Sequence, residues 1–176
     1  VSGTNFEPYL ILLGPEGLAM PVAVLTDMDP RPPKEDGTER EPLGPKRVVN
    51  HMLIHLVDKA TWEAKDFDGL LAIAPKYGVC MNGHTFEVAM FNSGLHEAFA
   101  KTMDSLGGSA PARDRMKRWA KTPKALDVEL FLKDIENVGK GRFAQRLASV
   151  IADAELTACP EYILDGVKYV ASKCHS

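Results

Sequence analysis

The chain has 176 residues, 45% of them hydrophobic, and a formal net charge of −3. That length buries an ordinary core for one domain, or one domain with a modest insertion, and the charge excludes a whole-chain basic signature, so nucleic-acid binding must come from a local patch. No apolar run approaches the roughly 18 residues needed to cross a bilayer and no signal peptide opens the chain; Cys80, Cys159 and Cys174 are odd in number and lack a C-x-x-C pair, so a cytoplasmic protein with reduced thiols is expected.

Val1-Ser2-Gly3-Thr4-Asn5 reads as the end of a strand entering a helix, and the start without Met reads as part of something longer. Asn5 is placed to cap a helix over 6–14, which Gly14-Pro15 ends. The β-branched run over 21–26, with Pro21 before it and Pro30 after, predicts a buried strand of a parallel sheet. Residues 30–45 are rich in Pro, Gly and charge, which predicts an exposed loop, and Pro45 suits the first turn of the next helix. There Val48, Val49, Met52, Leu53, Leu56 and Val57 recur at helical spacing.

Leu70–Ala74 is a short apolar run read as a strand, and Tyr77–Met81 as another, paired with it or with an edge. A helical section starts at Thr85-Phe86-Glu87 and continues through Leu95, Ala98, Phe99, Met103 and Leu106 to Gly107-Gly108. Residues 111–137 read as wholly helical and polar. An amphipathic helix follows Gly139, and Pro160 opens a last one. The pattern predicts an α/β core over 1–91 and 138–176, with an all-helical insert over 92–137.

Open α/β sheets place ligands beyond the carboxyl ends of their strands. Asp27 and Asp29 stand there at i, i+2, a spacing of roughly 6–7 Å in extended chain that returns both side chains to one side. Paired carboxylates suit hard divalent cations; the alternative is an Asp-rich turn. Glu87 lies where an extended segment turns into a helix, a place for a site residue and equally a place the helix dipole favours for a carboxylate. Lys140 is flanked by Gly139 and Gly141 before a helix, which allows close approach of a phosphate, although the P-loop spacing is absent. Arg113, Arg115, Lys117, Arg118, Lys121 and Lys124 make a basic run around Trp119 opposed by Asp114, either a phosphate-contacting face or a solvated one. Asp66 and Asp68 repeat the i, i+2 spacing but precede a strand, and His51 and His55 lack the glutamate of H-E-x-x-H.

Taken in order, G-T-N-F at 3–6, V-L-T-D-M-D-P at 24–30, T-F-E at 85–87 and G-K-G-R-F-A-Q-R-L-A at 139–148 resemble the C-terminal half of OLD (overcoming lysogenization defect) family endonucleases. The resemblance implies a Toprim domain, a Rossmann-like and mostly parallel sheet flanked by helices, with a helical insertion. It implies a DNA endonuclease that uses Mg²⁺ or Mn²⁺, two ions, with Asp27, Asp29 and Glu87 as metal ligands and Lys140 stabilising transition-state charge. Arg142, Lys117, Arg118 and Lys121 are then candidates for holding the DNA backbone. The family further implies an ATPase module upstream, which would bind the ATP and form a homodimer. It also implies a V-E-G motif, whose glutamate would fall upstream of Val1.

Two other functions fit the same residues. A phosphatase of the haloacid dehalogenase type would use Asp27 as nucleophile and Asp29 as acid/base. Against it, Pro30-Arg31 replaces the usual Gly-Thr and no later strand ends in paired Asp. A non-catalytic DNA-binding or assembly module would need the acidic residues for structure alone.

Overall fold

The computed structural model describes residues 5–154 and 158–174, so the reading of Val1–Thr4 as a strand end lies outside the described residues. The chain is mixed α/β and mostly helical, and it divides into two compact units, one of residues up to Phe86 with the segment from Glu161 onward, the other Glu87–Pro160.

The first unit is built on two short parallel strands, β1 (Val24–Thr26) and β2 (Val79–Met81), registered as Val24 with Val79, Leu25 with Cys80 and Thr26 with Met81. Alternation along β1 sends Val24 into a core shared with Val79 and with helices α1 (Glu7–Leu13) and α2 (Leu43–His51). Leu10, Val48, Val49, Met52 and Leu53 complete that core. Leu25 points to the opposite face, where the long helix ending the unit, Glu161–Cys174, meets it at Gly166; a Cβ on Gly166 would lie 2.7 Å from the leucine methyl. The two strands thus carry helices on both faces.

Several expectations are corrected here. Only three residues of the 21–26 run pair as strand, and Asn5 is not the cap, because Phe6 occupies that position without a side-chain bond. Leu70–Ala74 is not a strand: after the short helix α3 (Lys59–Glu63), it lies in α4 (Phe67–Ile73) and the turn after it. The reason is local. Asp66 caps the helix, its carboxylate accepting from the Gly69 amide at 2.9 Å, and the buried pair Leu70 and Ala74 is an i, i+4 pair on one helical face. A five-residue apolar run does not reveal its own period. Asp66 and Asp68 therefore open a helix rather than precede a strand, and β2 pairs with β1. The mostly parallel sheet expected is, among the described residues, a two-stranded one.

The regular elements among the second unit's described residues are helices: α5 (Phe86–Met90, one residue of which falls in the first unit), α6 (His96–Ser105), α7 (Ala110–Lys121), α8 (Val128–Val138) and α9 (Lys140–Asp153). The helix that closes the chain is α10 (Glu161–Cys174). Residues 111–137 are helical as expected but not polar, because α7 buries Met116 and Trp119 and α8 buries Phe131 and Ile135. Phe91, Phe99, Phe131 and Phe143 form an aromatic cluster with ring centroids 5.2–5.6 Å apart, joined by Trp119 at 6.2 Å from Phe131. Such pairs contribute about 0.5–1.5 kcal/mol each beyond their area. Phe143 and Leu147 bring α9 into this core, so the unit spans more residues than 92–137.

Candidate functional site

Both strands of the first unit end at the same edge, and the polar residues follow at once. β1 runs into Asp27-Met28-Asp29, and β2 into Asn82-Gly83-His84. Asn82 is buried and ties the two segments together. Its side-chain amide donates to Asp27 Oδ1 at 2.5 Å, its carbonyl oxygen accepts from the His84 amide at 3.0 Å, and its backbone N–H donates to the Thr26 carbonyl at 3.0 Å. The Asp29 amide closes the circuit by donating to the His84 carbonyl at 3.1 Å.

Asp29 is held from the other side. A guanidinium N–H of Arg47, on α2, donates to Asp29 Oδ2 at 2.6 Å, and a second donates to the Thr26 hydroxyl at 3.4 Å. The Arg47 side chain is 12% exposed, so this pair is shielded more than a surface salt bridge. α2 reaches the segment because Gly44 permits it: a Cβ there would lie 2.2 Å from the Asp27 carbonyl oxygen and 2.8 Å from the Met28 Cα. The Gly44 amide donates to the Met28 carbonyl at 2.9 Å and the Leu43 amide to the Asp29 carbonyl at 3.1 Å, which satisfies two N–H groups that a helix start leaves open.

Asp29 itself has φ 48, the left-handed region that Asp tolerates better than most residues. The left-handed backbone at Asp29 therefore departs from the extended i, i+2 course that the spacing suggests. Asp27 and Asp29 line one cleft of about 370 Å³ with Thr26, Arg47, Phe86 and Tyr162. Beside it, burial lowers the pKa of the His84 imidazole below its ordinary value, and the charges of Asp27 and Asp29 oppose that shift.

The other candidate residues for metal, catalysis and DNA contact fall in the second unit. Lys140, at the start of α9, has its ammonium 3.7 Å from Glu87 Oε1 on α5, so two residues singled out independently form an ion pair. Arg142 lies exposed on the first turn of α9. The basic run on α7 is opposed by more than Asp114. Arg115, itself partly exposed, makes a two-bond fork, 2.9 and 2.6 Å, to the buried carboxylate of Asp134 on α8, so it is held by the fold. Lys117 pairs with Asp104 at 2.8 Å, while Arg118 and Lys121 are exposed. His55 approaches Glu7 at 3.5 Å. Among the described residues, no three or more His, Cys, Asp and Glu side chains gather in a group able to hold a metal ion.

Sequence reasoning missed Asn82 and Arg47. Pairing the 77–81 run with the 21–26 run in parallel would have placed Asn82 beside Asp27. Nothing in the sequence around Arg47 marks it.

The elements define an α/β domain with a carboxylate pair fixed at the carboxyl ends of parallel strands. Among solved structures, the C-terminal region of the Burkholderia pseudomallei OLD protein is similar at 39% identity and TM-score 0.80, covering 98% of this chain and 80% of that one. The C-terminal region of the Xanthomonas campestris pv. campestris OLD protein is similar at 33% identity and TM-score 0.72, covering 98% and 78%. The chain belongs to the OLD family and corresponds to most of that C-terminal region. No protein-family model matches the chain, and no curated protein matches it significantly. Among the described residues no helix is long and apolar enough to cross a membrane.

Proposed function

We propose that this chain is the Toprim nuclease region of an OLD protein, a DNA endonuclease dependent on Mg²⁺ or Mn²⁺. The observation that carries the reading is the Asp27–Asp29 pair, fixed by Asn82 and Arg47 in one cleft beyond the strand ends. The donors fit a hard cation: both side chains offer oxygen, and a carboxylate has about four acceptor positions, so the Arg47 bond leaves Asp29 capacity to ligate. When bound, such an ion lowers the pKa of a water and offsets charge on a phosphodiester oxygen.

The chain's own residues do the rest. Asp27 and Asp29 would hold the ion, and their hydrogen bonds to Asn82 and Arg47 keep each carboxylate in one orientation. Glu87 and Lys140 take the roles the resemblance gives them, a further metal carboxylate and a fixed cation for charge developing in the transition state. Arg142, Arg118, Lys121 and Lys117 contact the backbone of the DNA, which positions it without reading sequence. The phosphatase alternative gains nothing from the fold, since β2 runs into Asn82-Gly83-His84 rather than paired aspartates.

The test is plasmid cleavage by the full-length protein with Mg²⁺ or Mn²⁺, beside Mn²⁺ binding followed by electron paramagnetic resonance. Asp27→Asn and Asp29→Asn are expected to lose both metal binding and cleavage while keeping the circular dichroism of the wild type. Lys140→Ala should lower the cleavage rate by about 10²–10³ with DNA affinity held, as for removal of a preorganised charge at a transition state. Wild-type cleavage by both aspartate variants sinks the assignment. Lys140→Ala that loses affinity alone removes Lys140 from catalysis.

A further inference from the structure

A second concavity of about 630 Å³ lies in the same unit as the carboxylate cleft, lined by Asn5, Glu7, Leu43, Lys46, Arg47, Asn50 and His51. Arg47 lines both. Arg47 thus stands between the groove and the cleft, and its guanidinium already grips Asp29. The groove's lining is polar except for Leu43, with Lys46 and Arg47 basic and Glu7 the acid that opposes them. Of a guanidinium's five donors, the bonds to Asp29 and Thr26 use two.

We propose that this groove beside α2 carries the phosphodiester backbone of a nucleic-acid strand into the Asp27–Asp29 cleft, with Arg47 at the junction. This rests on the nuclease reading and extends it, because the basic helix and Arg142 belong to the second unit, whereas the groove belongs to the unit that holds the aspartates. The charge is right for a polyanion once it displaces a weak competitor. Lys46 pairs with Glu41 at 2.6 Å, but both side chains are mostly exposed, 60% and 77%, where water and salt screen the pair. Contacts of this kind position a backbone and depend on salt.

The experiment reads the affinity of a fluorescein-labelled oligonucleotide by anisotropy, in EDTA and over a salt series, so that no cleavage intervenes. Two exposed groove residues outside the carboxylate machinery are changed in opposite senses. Lys46→Glu is expected to raise Kd roughly 10-fold and to lower the salt slope by about 1, as loss of one phosphate contact does. Glu7→Gln removes the opposing acid and should lower Kd about 2–3-fold by the same Coulombic argument. Both variants should keep the wild-type Mn²⁺ affinity and melting temperature.

Opposite shifts support the groove. Unchanged affinity in both variants, with metal-dependent cleavage intact in the wild type, overturns the groove and leaves the nuclease reading standing. Shifts in the same direction also overturn it, because charge then does not decide the effect. A wild type that binds no oligonucleotide and cleaves no plasmid ends both.

Discussion

Asn82→Ala tests how the carboxylate pair is held. The asparagine side chain donates to Asp27 at 2.5 Å and accepts from the His84 amide at 3.0 Å; its 3.5 Å approach to the Met28 amide is too long to count. A hydrogen bond to a charged group contributes about 1.5–3 kcal/mol and one between neutral groups about 1 kcal/mol. Asp27 is half-buried, so solvent screening removes roughly half of the first contribution, and the sum is about 2 kcal/mol. In a chain of this size that lowers the melting temperature by about 4–8 °C. The assay is urea or thermal unfolding followed by circular dichroism without divalent cations, and a variant as stable as the wild type refutes the argument. Asn82→Asp adds a second check. It keeps the shape but sets a carboxylate against Asp27, so it should be the less stable of the two variants without metal and recover more when Mg²⁺ is added.

Gly44→Ala should cost about 1–3 kcal/mol and weaken Mn²⁺ binding, because its Cβ would sit 2.2 Å from the Asp27 carbonyl and force the backbone apart. Gly141→Ala, with no atom within 4 Å of the added Cβ and a place in the first turn of α9, should instead gain up to about 1 kcal/mol; a raised unfolding midpoint for Gly44→Ala contradicts the first expectation, and a lowered one for Gly141→Ala the second. Arg115→Met should lower the melting temperature of the helical unit by stranding the buried Asp134 carboxylate, and Asp134→Leu in the same chain should restore part of it, as a double-mutant cycle will show. His84, whose pKa is depressed in the fold, favours the folded state in full above about pH 6.5, the unfolded value, and progressively less as pH falls below it. His84→Gln should accordingly flatten the stability profile below that pH and leave it unchanged above, and superimposable profiles would remove His84 from the linkage.

Where the candidate residues sit along the chain's elements was legible because those signals are local. An apolar β-branched run ending in Asp27-Met28-Asp29 marks the end of a strand wherever that strand sits, and Gly139-Lys140-Gly141 marks a helix start. Four short motifs in a fixed order then pointed to the OLD family, which the similarity to the solved C-terminal regions bears out. What the sequence left open is set by long-range partners. Leu70–Ala74 is too short to show a period, and the Asp66 cap with the packing of Leu70 and Ala74 made it helical. The polar look of 111–137 hid the buried stripe of Met116, Trp119, Phe131 and Ile135, spread thinly over two helices. Arg115 reads as one more surface cation until Asp134, nineteen residues on, is folded against it. Asn82 lies 55 residues from Asp27 and Arg47 lies 18 from Asp29, separations over which residue type carries no signal of contact. The residue types that could do chemistry were fixed by the chain; which oxygen each donor holds was decided by strand pairing and by the close approach that Gly44 allows.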